Sequence, residues 1–182
     1  TQMLAKGHDF KHITSVFVLD TDAELFHPDF KSQERLGQLL TQVAGRGGRG
    51  ISSSEIFLQT YYPNHPLLEK LTNGNYKEFL QEIGKEREIT SMPPFSFVTL
   101  IRANSVNEKN VVDFLDLVKK MVERVEPQSP QNQYLGPIPS MLEKRAGRYR
   151  YNFQIKTHTR SKMHILLTKL IEQLSKTKSF SN

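Results

Sequence analysis

The chain has 182 residues, 25 Lys+Arg against 19 Asp+Glu, and neither cysteine nor tryptophan. That length fits one ordinary domain or two small ones, and 37% hydrophobic residues are enough to bury a core. No stretch approaches the roughly eighteen apolar residues of a membrane helix and no signal peptide is visible. Zero cysteines excludes disulfides and agrees with a cytoplasmic setting. The net charge of +6 is split unevenly. Residues 1–92 carry 10 cations against 12 anions, and residues 93–182 carry 15 against 7. A basic second half beside a near-neutral first half points to nucleic acid as a partner of the second half.

In chain order, a polar opening segment holds Thr1, Gly7 and Asp9. The short apolar run SVFVLD (residues 15–20) is predicted to be a buried strand. Asp20-x-Asp22-x-Glu24 has the start of a calcium loop but lacks its glycine and closing glutamate, so it is rejected. Phe26 and Phe30, beside Pro28, are expected to plug the core. An amphipathic helix over 32–43 leads into QVAGRGGR (residues 42–49), expected to be a glycine-loosened arginine loop. Strand, helix and loop in this order predict half of a parallel α/β domain, with functional groups at the carboxyl ends of its strands. EIFLQT (residues 55–60) reads as a further strand. Tyr61-Tyr62-Pro63-Asn64-His65-Pro66 is turn chemistry, and Pro66 suits a first helical turn. Residues 66–90 then read as a helical connector interrupted at Asn73-Gly74-Asn75.

Met92-Pro93-Pro94-Phe95 is predicted to be a stiff extended hinge and the domain boundary. Beyond it comes a strand over 97–102. A helix capped by Asn107 follows, its apolar face built on Val111, Val112, Leu115, Val118 and Val122. Residues 126–133 are expected to be a flexible loop, 134–138 a strand ended by prolines, 149–157 a longer strand, and 161–174 a closing helix. The order βαββα predicts a two-layer domain with both helices on one face of a sheet.

Two places concentrate chemistry. In QVAGRGGR, Arg46 and Arg49 stand three apart after Gln42, and Gly45 loosens the backbone. Paired guanidinium groups can grip phosphate through bidentate hydrogen bonds. The simpler alternative is a surface turn with two solvated arginines. The second place is EKRAGRYRY (residues 143–151). Strand alternation puts Arg148 and Arg150 on one face and Tyr149 and Tyr151 on the other. If the tyrosines are core, Lys144, Arg145, Arg148 and Arg150 make a basic edge for phosphates. If Tyr149 is exposed, it can stack on an unpaired base. A charged edge that only guards against aggregation is the third alternative.

TQMLAKGHDF, QVAGRGGRG, SMPPFSFVTLIRA and LGPIPSMLEKRAGRYRYNFQIKT together resemble the bacterial primosomal replication-restart helicases, within helicase superfamily 2. Lys11 and Gly47 depart from that pattern, where proline and alanine are common. The resemblance implies an α/β fold: the C-terminal portion of a second RecA-like lobe (residues 1–62) and a helical connector (63–92). A basic α+β βαββα DNA-binding domain (93–182), similar in fold to a small ribosomal protein, completes it. It implies that Arg46 and Arg49, aided by Gln42, sense ATP, while Thr1, Gly7, Asp9 and Gly45 belong to motifs that couple the nucleotide to DNA. It also implies ATP and Mg2+ as cofactors of a longer protein, with zinc held only by cysteine modules upstream. The implied partners are forked, single- and double-stranded DNA, single-stranded-DNA-binding protein and other primosome proteins. No G-x-x-x-x-G-K-[ST] loop occurs in the sequence. The chain is therefore expected to be a C-terminal piece that does not turn over ATP alone.

Overall fold

The computed structural model describes residues 15–47 and 55–177, with the backbone alone at 45–47. The chain divides into two compact units, Thr1–Ile89 and Thr90–Asn182.

In the first unit, β1 (Ser15–Val18) and β2 (Glu55–Leu58) pair in parallel, in register from Ser15↔Glu55 to Val18↔Leu58. Between them lie α1 (Thr21–Leu25) and α2 (Ser32–Gly47). On α2 the residues Leu36, Leu40 and Val43 recur at i, i+4 and i+7, and all three are buried. Two further helices follow, α3 (Pro66–Thr72) and α4 (Tyr76–Ile89). Pro66 opens α3 with its fixed φ, and His65 caps it by accepting from the Leu67 N–H at 3.3 Å. Leu67, Leu68, Phe79 and Ile83 join Leu25, Leu36 and Leu40 in one core. Residues 66–89, expected to be a connector, thus help to form the first unit's interior. Arg87 ties α4 to the start of α2, donating to Glu34 at 2.8 Å and to the Phe30 carbonyl at 2.6 Å.

Several expectations change in this unit. The strand predicted to be buried is not: Phe17 is 65% exposed and stacks on Phe57 at 4.9 Å. Among the described residues the two-stranded ribbon is half covered on one side, and its alternate side chains face outward. Phe26 is exposed as well, with its ring edge-on to Tyr62. The short helix α1 was not foreseen because its anchors are distant in sequence. The Asp22 carboxylate accepts from the Thr60 hydroxyl and the Tyr61 N–H, and the Thr21 N–H donates to the Gln59 carbonyl. Finally, α2 continues through Gly45, Arg46 and Gly47, where a loop was expected.

The second unit runs β3 (Phe97–Ser105), α5 (Glu108–Val125), β4 (Asn132–Arg145), β5 (Arg148–Thr157) and α6 (Arg160–Lys176). This is the predicted βαββα order. The sheet is antiparallel with β5 in the centre, in the order β3-β5-β4. Val111, Leu115, Val118 and Val122 of α5 and Met163, Leu166 and Leu170 of α6 pack on Tyr151, Phe153 and Ile155 of β5. Asn107 caps α5 by accepting from the Lys109 N–H at 3.0 Å. Residues 92–95 form a closed turn and not an extended hinge, with the Phe95 N–H donating to the Met92 carbonyl at 3.0 Å. Strand β4 runs on through Pro137 and Pro139, past the predicted end. It lies at the sheet edge, where missing N–H groups are tolerated, and its pairing shifts at Leu135/Ile138 and Pro139/Lys144. Gly136 permits this course: at φ +126° it lies so close to β5 that a Cβ would sit 2.7 Å from the Asn152 carbonyl oxygen.

Candidate nucleic-acid interface

The cationic segment forms the end of the β4–β5 hairpin. Ala146 and Gly147, with φ of 49° and 76°, make the two-residue turn, a left-handed pair matched to strand twist. Arg145 pairs with Arg148 across the turn, and Lys144 with Tyr149. Like charges directly opposite each other on a sheet are destabilising, so this end holds two guanidinium groups in a pairing that an anion would relieve. Lys144, Arg145 and Arg148 are exposed, and Arg150 is half-buried.

The tyrosines take the other face, and their contacts decide what they can do. Tyr151 is buried against the helices, and its hydroxyl donates to the Glu108 carboxylate. That hydrogen bond, with burial, pushes its pKa up to about 12 and keeps the phenol neutral. Tyr149 is half-buried against the same core. The Lys144 ammonium stands 4.5 Å from the centre of its ring and donates to its hydroxyl at 3.3 Å. The tyrosines are therefore scaffold for the cations, and neither presents a free ring for stacking.

Arg148 is held as well. Its Nε donates to Asn104 Oδ1 at 2.5 Å and an Nη to the Asn104 carbonyl at 3.3 Å. Sequence reasoning missed Asn104 because only the sheet register brings it beside Arg148. Among the described residues, no ion pair or hydrogen bond engages Arg145 or Arg150. The hairpin end thus combines one braced guanidinium, one ammonium laid over a ring and two free guanidinium groups, an arrangement suited to phosphate oxygens.

The remaining candidate residues belong to the first unit. Gln42 is exposed on α2. Gly45 and Arg46 lie in the last turn of that helix, while Thr1, Gly7, Asp9 and Arg49 fall outside the described residues. Residues 48–54, between α2 and β2, lie outside the described residues, and the carboxyl end of β1 leads into Asp20 and Asp22. Among the described residues, no group of three His, Asp or Glu side chains could hold a metal ion, and no helix is long and apolar enough to cross a membrane.

Comparison with known proteins adds a family. The model of the primosomal protein N C-terminal domain matches residues 88–181, just over half of the chain. A replication restart protein PriA of Haemophilus influenzae is 39% identical over 160 residues, covering 88% of this chain and 22% of that protein. Its namesake in Synechocystis sp. is 36% identical over 156 residues (86% and 18%), and that of Bacillus subtilis 34% over 173 residues (94% and 21%). The similarity extends through both units, and the chain spans about a fifth of the length of these relatives.

Proposed function

The chain belongs to the family of the primosomal protein N C-terminal domain, and on that premise we propose that it is the C-terminal part of an ATP-dependent DNA helicase. That helicase recognises stalled or forked DNA and restarts replication by primosome assembly. The names of its relatives, each a replication restart protein, support the restart role. The cationic hairpin end, with Arg145 and Arg148 held opposite each other, is the observation that carries the DNA-contacting role. In this reading residues 93–182 are the DNA-binding domain and residues 1–62 the last part of a RecA-like lobe. The parallel β1/β2 pair supports the lobe assignment: its outer face exposes Phe17 and Phe57, which further layers of a parallel α/β sheet would cover.

Gln42, Arg46 and Arg49 would meet the γ-phosphoryl group of ATP, and Thr1, Gly7, Asp9 and Gly45 would couple the nucleotide to DNA. Gln42 stands on an exposed helix surface, and among the described residues no metal-holding group accompanies it. The arginines would add cationic contacts to a site whose phosphate cradle lies elsewhere in the longer protein, stabilising charge that develops on the transferred group. Single-stranded-DNA-binding protein and other primosome proteins would be its protein partners.

The test is Arg49→Ala in the full-length protein. DNA-stimulated ATP hydrolysis should be abolished while fork binding stays close to wild type, and near-normal turnover would sink the assignment. A second reading, a binding module without catalysis, is favoured by the second unit's own closed core. Anisotropy titrations of the chain with forked, duplex and single-stranded DNA address it. Tight binding to one structure supports recognition of that structure, and no binding to any form points to protein partners.

A further inference from the structure

The sheet of the second unit has two unlike faces. Along β5, Tyr151, Phe153, Ile155 and Thr157 are buried on the helix side, so Arg150, Asn152, Gln154 and Lys156 stand on the other. The pairing register extends this second face into rows. Arg102 and Ile138 flank Asn152, and Leu100 and Leu135 flank Gln154. The face is open: Leu100, Leu135 and Ile138 are 42%, 56% and 40% exposed.

The cations concentrate on the sheet. The three strands carry Arg102, Lys144, Arg145, Arg148, Arg150 and Lys156 against the single acid Glu143. Helix α5 balances Glu108, Asp113, Asp116 and Glu123 with Lys109, Lys119, Lys120 and Arg124, and α6 sets Arg160, Lys162, Lys169 and Lys176 against Glu172. An anionic ligand therefore gains more at the sheet than at α5.

We propose that this open sheet face binds an unpaired nucleic-acid strand, with its phosphates on Arg102, Arg150 and Lys156 and its bases against Leu100, Leu135 and Ile138. The inference rests on the reading of the second unit as DNA-contacting and adds which face does so, and to which form of DNA. A duplex keeps the apolar faces of its bases inside the stack, so it would satisfy the cations and leave the leucine row in water. An unpaired strand satisfies both, because its bases can lie on apolar side chains and guanidinium planes. Among the described residues the face carries no aromatic platform, so the binding is sequence-tolerant and held mainly through phosphates.

Anisotropy titration with a labelled oligothymidylate of about 16 nucleotides and a matched duplex, at about 50 and 200 mM salt, tests this. In Arg102→Gln/Arg150→Gln/Lys156→Gln, oligothymidylate binding should weaken at least about tenfold. Its log–log salt slope should flatten by about 2, because each lost single-strand contact removes about 0.7. Arg102→Glu alone, at an exposed edge-strand position, should weaken binding in the same direction. Lys119→Gln/Lys120→Gln on α5 should leave it unchanged, and Leu100→Ala/Leu135→Ala should weaken the oligothymidylate more than the duplex. If the wild-type chain binds no DNA, the DNA-contacting reading falls and this inference with it. If it binds but the sheet variants match wild type, or the α5 variant loses as much, the DNA-contacting reading stands and the face is wrong. Tighter binding of the duplex, or of polyglutamate, would overturn the unpaired strand as occupant.

Discussion

Gly37 of α2 lies against Phe79 and Tyr76 of α4, and Gly37→Ala tests whether that contact holds α2. An alanine Cβ there would sit 2.3 Å from Phe79 Cε1, 2.8 Å from Cζ and 3.1 Å from Tyr76 Cε2. Favourable carbon contacts lie at about 3.5–4.0 Å, so the ring has to retreat by more than an ångström. Phe79 is fully buried and has no open space to move into. Overpacking of this kind costs about 1–3 kcal/mol, and the severity of the overlap puts it at the upper end. Alanine is the better helix former by about 1 kcal/mol, which offsets part of the cost. The net loss is about 2 kcal/mol, or roughly 10 °C in the melting temperature of a unit this size. Circular dichroism melts read it directly. Phe79→Leu, which trims the ring, supplies the control. In that background Gly37→Ala should be neutral or stabilising, giving a coupling energy above about 1 kcal/mol. A Gly37→Ala melt at or above wild type, or equal penalties in both backgrounds, would refute the close-packing argument.

Two further outcomes concern the second unit. Asn107→Ala removes the side chain that accepts the Lys109 N–H and should cost about 1 kcal/mol, seen as a lower urea midpoint of helix loss, with Asn107→Asp close to wild type. Tyr134 and Tyr151 both have their pKa raised to about 12, Tyr134 first by burial and Tyr151 first by its bond to Glu108. Because the folded state holds these protons more tightly than an unfolded chain does, their contribution is intact below about pH 10 and is lost as pH rises towards 12. Spectrophotometric titration should show two phenols ionising near 12 in the wild type, and one in Tyr151→Phe.

What the sequence disclosed and what it hid divide along the distance over which the information is carried. Helix α5 was legible in full because its cap and its apolar stripe from Val111 to Val122 are local signals. The βαββα order followed from the same kind of pattern. Strand β4 was cut short because Pro137 and Pro139 read as terminators, and only its edge position makes them tolerable. Helix α1 was invisible because Gln59, Thr60 and Tyr61 fix it from far along the chain. At the hairpin, alternation told the arginine face from the tyrosine face. It could not show that Arg148 is braced by Asn104 or that Lys144 lies over Tyr149. Charge counts located the basic half but not which of its cations share the open sheet face, which needs the register.

The same reasoning bears on the surroundings of α2 in the first unit. In open parallel α/β sheets ligands usually gather at the carboxyl ends of the strands. Here the end of β1 leads into Asp20, Asp22 and Glu24, with Asp29 close behind in sequence, and the end of β2 into Gln59 and Thr60. Three of these carboxylates are occupied, Asp22 by Thr60 and Tyr61, and Glu24 and Asp29 by Arg35 at 3.5 and 2.7 Å. The acidic rim is therefore both repulsive to phosphate and partly committed to holding α1 and α2. The opposite end of α2 differs in kind. Arg46 lies in the last helical turn, where the helix dipole is negative and a cation is stabilised.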